Sequence, residues 1–262
     1  MQCLLARSLH QLRLLFIALQ FFTRLPVPRW VGFEQEWLHH ASRYFTAVGI
    51  IVGAIVATVY AVASWMLPQV VAVLLSTAAG IYLTGAFHED GFADTCDGLG
   101  GGVNKARVLE IMVDSRIGAY GAIGIGLLLA LKVAALASLP SHAVAAVLLA
   151  AHPLSRLASV ALIWRLEYVK VEGKAKPLAQ EISTAELVIA VAAVVLLLAA
   201  LLFAEAISWR AIVAGAMAST ITAMWMARKI VQRIGGYTGD CLGAVQQMAE
   251  VTFYVAVLAV AH

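Results

Sequence analysis

The sequence predicts an all-α, polytopic transmembrane helix bundle of about seven spans, preceded by an amino-terminal amphipathic helix lying at the membrane interface. Three observations predict it. Of 262 residues, 62% are hydrophobic and 13% charged, against about 45–50% and about 25% in an ordinary soluble domain. Uncharged apolar runs recur at the length a helix needs to cross the hydrocarbon, roughly 20 residues. These runs leave too little polar chain for a separate soluble domain, so residues 1–262 read as a single integral membrane domain.

In chain order, Leu4 to Phe22 is apolar but carries Arg7, His10 and Arg13, with Arg24 just beyond, which suits a helix in the interface. It does not read as a cleavable signal, because charges run through the apolar region and no small-residue cleavage pattern precedes Pro26 and Pro28. Thr46 to Leu67 and Val70 to Phe87, separated by Pro68-Gln69, predict a helical hairpin. Ile117 to Leu139 and Ala143 to Trp164 repeat that arrangement around Pro140-Ser141-His142. Leu187 to Ala204 and Ala211 to Ala227 form a third pair, and Leu242 to Ala261, interrupted by Glu250, is the weakest span. Three cysteines, Cys3, Cys96 and Cys241, stand too far apart in sequence to suggest a disulfide framework or a zinc site, which fits a reducing compartment.

The net charge is only +3, but its distribution is informative. Fifteen of the eighteen Lys and Arg residues fall in the amino-terminal region and in alternate loops. Only Arg210 falls on the opposite side, with Lys132 and Arg156 inside spans. Basic residues in short loops accumulate on the cytoplasmic side, so the amino terminus is expected in the cytoplasm of a cell whose inner membrane holds the protein. The same topology brings His88 to Gly118, Arg165 to Glu186 and Gly235 to Gly243 to one face, where three loops can build one site.

The most chemically suggestive segment runs from His88 to Gly98. Asp90, Asp94 and Asp97 are spaced i, i+4, i+7, within about 60° of one another on a continuing helix. Such like charges repel, and removing one is expected to relieve the apo protein. A bound cation is the simplest reason for the arrangement, and oxygen-only ligands favour Mg²⁺, Mn²⁺ or Ca²⁺. Magnesium takes one or two carboxylates together with phosphate oxygens, which implies a phosphorylated substrate. The plain alternative is a solvated acidic loop, disfavoured by the direct junction with an apolar span and by bracketing glycines. Gly98, Gly100, Gly101 and Gly102 are expected to let backbone approach a ligand.

Further candidates surround it. Arg116, two residues after Asp114, suits either a phosphate clamp or a snorkelling anchor. Gly235 to Gly243 offers a phosphate-cradling turn or a further metal ligand in Asp240. His152 and Arg156 share a helical face with Pro153 between them as a kink. Ionisable groups within a span are functional candidates, the alternative being a structural pairing with Glu250 or a backbone carbonyl. The partner of Lys132 stays open at this stage. Lys174 and Lys176 form a basic loop suited to lipid headgroups first and phosphate second.

Four spaced segments carry a resemblance over nearly the whole chain: Phe22-Thr23-Arg24-Leu25-Pro26-Val27-Pro28, Glu89 through Gly98, Asp114-Ser115-Arg116-Ile117-Gly118, and Gly236-Tyr237-Thr238-Gly239-Asp240. Together they resemble the cobalamin synthase family, adenosylcobinamide-GDP ribazoletransferase. One local departure is Val113, where the resemblance leads to an expectation of lysine. The resemblance implies that α-ribazole, or its 5′-phosphate, replaces GMP on adenosylcobinamide-GDP in the presence of Mg²⁺. It implies metal binding by Glu89, Asp90, Asp94 and Asp97, and catalytic or supporting roles for Asp97, Asp114 and Asp240. Substrate contact would fall to Arg116 and Lys174, with His152 and Arg156 lining a corrinoid pocket. The implied partners are those two substrates, membrane lipids and other cobalamin-assembly enzymes, with no nucleic acid.

Three further classes remain to be weighed. A CDP-alcohol phosphotransferase expects an Ala-Arg after its Asp-Gly, and Gly91-Phe92-Ala93-Asp94 lacks that arginine. A prenyltransferase expects a second aspartate-rich motif, and Gly239-Asp240 is too poor in acid. A cation transporter expects carboxylates near the midplane, whereas most acids here stand at span ends.

Overall fold

The computed structural model describes residues 2–32, 34–169 and 181–261, almost entirely as helix. The amino-terminal helix, α1 (Gln2–Phe22), packs Leu14, Ile17, Ala18, Leu19 and Phe22 inward. A short helix α2 (Gln35–Ala41) leads into α3 (Phe45–Ser64). Next come α4 (Gln69–Thr84), α5 (Phe87–Gly101) and α6 (Lys105–Val113), then α7 (Ala119–Ser138) and α8 (Ser141–Arg165). The chain closes with α9 (Thr184–Phe203), α10 (Trp209–Ile234) and α11 (Gly239–Ala261). Among the described residues six helices are long and apolar enough to cross a membrane, or seven if the bent pair α4–α5 is one span. The protein is therefore an all-α, multi-pass membrane protein.

Local chemistry sets the boundaries. Asn104 and Ser208 accept the N–H of the third residue of α6 and α10. Ser183 and Glu186 form a reciprocal capping box at the start of α9. Gly235 ends α10 in the left-handed region at φ 82.

The expected second span is where fold and pattern part. At sixteen residues α4 is about 24 Å long, short of the roughly 30 Å of hydrocarbon. It ends in a Schellman arrangement: Gly85 N–H donates to Tyr82 O and Ala86 N–H to Ile81 O. Gly85 and Ala86 both take positive φ, 66 and 60, and the axis turns by 88° into α5. The stretch Phe22 to Leu25 holds this corner. Arg24 N–H donates to Leu83 O at 2.8 Å, its guanidinium lies 5.3 Å from the Tyr82 ring centre, and the Phe22 ring stacks on His88.

The close packing of α3 on α8 depends on Gly49 and Gly53, one turn apart. A Cβ at Gly49 would lie 2.6 Å from Pro153 Cα, so only glycine admits α8 there.

Two ends of the bundle are defined by cross-helix bonds. At one end Tyr60 O–H donates to Ser141 O, and Gln69 donates to Leu136 and Leu139 carbonyls. At the other, Tyr168 and Tyr237 pair as a short parallel bridge, Arg233 donates to Gly102 O, and Gly91 abuts Asp240. The acidic segment, the Asp114 loop and the Gly235 loop therefore share one end. Cysteine substitution at exposed Val103 and Glu181 should give labelling from one side of the membrane, and at exposed Met66 and Phe203 from the other. Labelling of Val103 and Met66 positions from the same side would overturn the arrangement.

Candidate active site

The acidic residues of α5 divide by what they touch. Asp97 is buried and reaches the start of α7: its Oδ2 accepts the Gly118 N–H at 2.7 Å and its Oδ1 the Gly121 N–H at 2.8 Å. It neutralises the positive end of a membrane helix. Both glycines are required sterically, because a Cβ at either would strike the carboxylate. Glu89, about 100° round the helix from Asp90, turns inward, where its Oε1 accepts from Gln247 Nε2 at 2.9 Å. Asp90 is exposed and Asp94 half-buried, one turn apart. Beside them the backbone of Asp240, in the first turn of α11, packs directly against Gly91; a Cβ there would lie 2.8 Å from Asp240 O. Among the described residues no three acidic, His or Cys side chains converge tightly enough to hold a metal by themselves.

The glycines after Asp97 serve packing. Gly98 faces Met112, Gly100 faces the Tyr120 ring and Gly102 faces Val108, so they admit α6 and α7 close to α5. The expectation that they make room for a ligand is corrected accordingly.

Asp114 and Arg116 form a local clamp: Nε donates to Oδ1 at 3.0 Å and a terminal nitrogen to Oδ2 at 2.7 Å. The Arg116 hydrogen bonds hold the Asp114 carboxyl down at about 2, so the pair is complete above the ordinary carboxylate range and is lost only as pH falls toward 2. The pair borders a cleft of about 510 Å³ shared with Asp97, Arg107, Glu110 and Tyr120. In the Gly235 loop, Tyr237 is fully buried, and Gly236 faces Glu167 O. Lys174 lies outside the described residues.

Beneath this surface is a buried polar core that the sequence only hinted at. Lys132 of α7 meets Glu250 of α11 at 2.5 Å. The same carboxylate accepts from Tyr254 O–H at 3.0 Å and Gln246 Nε2 at 2.6 Å, and lies 3.4 Å from His152 Nδ1. Arg156 donates to His152 O at 3.0 Å. Thus His152 and Arg156 are joined to Glu250 and to a carbonyl, the structural alternative. The cavity they line holds about 20 Å³, room for a water molecule or two. Gln246, Gln247 and Tyr254 were missed by sequence reading; the 246–250–254 spacing on one face of α11 was the available signal.

A helix bundle with several apolar spans, an ionised core and acidic groups gathered at one end defines a multi-pass membrane protein with a polar site at one end. The chain belongs to the cobalamin-5-phosphate synthase family, whose family model matches residues 14–258, and is a transferase. It is similar to an adenosylcobinamide-GDP ribazoletransferase of Leptothrix cholodnii, at 47% identity across 97% of this chain and 98% of the relative. A relative of the same name from Shewanella frigidimarina is 44% identical, covering 96% of each chain. One from Polaromonas is 42% identical over 91% of this chain and 94% of the relative. No solved structure matches the chain. Membership sets aside the transporter reading.

Two predictions follow from these contacts. Lys132→Met leaves the Glu250 carboxylate buried without its cation and should cost roughly 3–5 kcal/mol, with Lys132→Met/Glu250→Gln recovering part of it. Thermal unfolding in detergent measures this, and strictly additive losses would exclude the pair as a coupled unit. Asp97→Asn can accept only one of the two N–H groups and should lose about 1–2 kcal/mol relative to Asp90→Asn, an exposed control that also removes one charge. Equal melting of the two variants would remove the helix-capping role.

Proposed function

We propose that this protein joins α-ribazole, or its 5′-phosphate, to adenosylcobinamide-GDP with release of GMP, at the cytoplasmic face of the inner membrane and with Mg²⁺. The observation that carries the reading is the meeting of α5 with the first turn of α11, which gathers Asp90, Asp94 and Asp240 into one region in a chain of this family. The bias of basic residues toward the same end supports the cytoplasmic assignment.

Magnesium fits the donor set. Asp90 and Asp94 offer two oxygen ligands one turn apart, the usual protein share for a cation completed by diphosphate oxygens. Bound there, it would neutralise charge on the diphosphate and on departing GMP. Glu89 and Asp97 are spent on Gln247 and the α7 amino terminus, so they support α5 and leave the metal to the other two.

In the reaction, a ribazole hydroxyl oxygen bonds to the phosphorus next to the corrinoid side chain. The bridging P–O bond breaks, GMP departs with that oxygen, and the hydroxyl proton passes to a base. Three aspartates are candidates for the base. Asp97 has both carboxylate oxygens engaged by backbone N–H groups at the start of α7, and Asp114 is held acidic by Arg116, which makes Asp114 a poor proton acceptor. Asp240, whose backbone packs against Gly91 in the first turn of α11, is the base in this reading. Arg116, exposed beside the 510 Å³ cleft, takes the diphosphate.

Purified protein incubated with adenosylcobinamide-GDP, α-ribazole and Mg²⁺ should release GMP and form the cobalamin product. Asp94→Asn should lower turnover by about 10²-fold or more while the protein stays folded. Arg116→Lys should lose about ten- to a hundredfold in kcat/KM, because lysine lacks the planar fork. Turnover near wild type in Asp94→Asn at low Mg²⁺ would remove the metal assignment. Unchanged kinetics in Arg116→Lys would reduce that residue to an interfacial anchor.

A further inference from the structure

The outer surface of the bundle carries a groove that the transferase site does not use. Helices α9 and α10 each pack on α8 and leave a gap of about 590 Å³ between them. The gap runs from Arg165 to Leu154 along α8, from Leu187 to Leu198 along α9 and from Ala227 to Ala216 along α10. Each path advances eleven residues, about 16 Å at helical rise. That is half of the roughly 30 Å hydrocarbon thickness, the depth of one leaflet.

The lining is apolar throughout. Its two hydroxyls are already bonded within the bundle, Ser219 to Ala249 O and Thr220 to Ala216 O, so nothing in the wall calls for a polar occupant. The mouth differs. Trp164 stands there, half-exposed, with its indole N–H donating to Thr184 Oγ1 at 3.3 Å, as an aromatic residue does at headgroup level. Arg165 lines the mouth, and Arg228 follows groove-lining Met224 by one turn on the same helix face. Both arginines are exposed, and neither has an ion-pair or hydrogen-bond partner among the described residues.

We propose that this groove is a binding site for an anionic phospholipid, with one acyl chain along the α8–α9–α10 gap and the phosphate between Arg165 and Arg228. Charge selects the occupant. Two exposed guanidinium groups without a partner among the described residues favour a net-negative headgroup over a zwitterionic one, whose own ammonium would oppose them. A second copy of the chain seated there would bring its own basic end against these arginines at the same depth.

The test uses the full-length protein in detergent, titrated with phosphatidylglycerol or phosphatidylcholine and read by native mass spectrometry. Wild-type protein should hold one phosphatidylglycerol at least about tenfold more tightly than phosphatidylcholine. Arg165→Gln/Arg228→Gln should weaken phosphatidylglycerol by roughly thirtyfold, about fivefold for each cation near the surface, and leave phosphatidylcholine unchanged. Both residues are at the surface, so the variant should melt as wild type does. Ala161→Trp, which fills the groove, should weaken both lipids. Equal affinity of the two lipids for wild type, or phosphatidylglycerol binding untouched by the double substitution, would overturn the proposal. A lipid-free dimer cross-linked through cysteines placed in the groove would also overturn it, assigning the face to a second copy.

Discussion

A carboxylate in the middle of an apolar bundle dictates its neighbours, and Glu250 is that carboxylate. With 1% of its side chain exposed, it is far too costly to keep ionised without partners. Lys132 supplies the opposite charge, and Tyr254 and Gln246 supply hydrogen bonds. His152 approaches from α8, where Arg156 is accommodated only because Gly49 of α3 has no side chain to block the turn. One buried charge thereby fixes the relative positions of α3, α7, α8 and α11. Well-packed apolar residues could hold those helices at least as firmly, so what the network adds is register: rotating any of the helices would part Glu250 from Lys132, Tyr254 or His152.

That register reaches the surface through α5. Gln247 follows Gln246 along α11 and binds Glu89, so the helix that holds the network also holds the base of α5. At its far end Asp97 is locked to the α7 amino terminus. Between those anchors Asp90 and Asp94 stand one turn apart on α5. The 88° corner at Gly85-Ala86 makes this possible. A straight continuation of α4 would drive the acidic segment along the bundle axis, whereas the corner lays it across the mouth of α7 and α11.

Much of this was legible in the sequence, and the reasons for the remainder are physical. Hydropathy located the spans because length and apolar content are local properties. It carried Val70 to Phe87 too far, since the corner is made by two left-handed residues with no proline to mark it, and Ala86 is an improbable occupant of that conformation. The i, i+4, i+7 pattern of aspartates was real, but treating them as equivalent ignored what meets each one in space. Asp97 faces a helix terminus, which makes its charge favourable where sequence spacing suggested only repulsion. Lys132 could not be paired from sequence because Glu250 lies 118 positions away.

On the proposed reading, the separation of the acids into a supporting set and a substrate-facing set lets the region combine rigidity with a strongly charged substrate. A diphosphate brought against a cluster of carboxylates is repelled unless most of that negative charge is already answered by the protein. Glu89 is bonded to Gln247, Asp97 to two backbone dipoles, Asp114 to Arg116 and Glu250 to Lys132. These compensations are local, so the charges of Asp97, Asp114 and Glu250 are largely answered within the protein. On the proposed reading, Asp90 and Asp94 supply two carboxylates to a divalent cation, and phosphate oxygens would complete its coordination. Were Glu89 and Asp97 turned to the same face, four carboxylates would satisfy the cation alone and compete with the substrate for it. The internal hydrogen bonds that stiffen α5 are therefore also what keeps the acidic face sparse enough to be used.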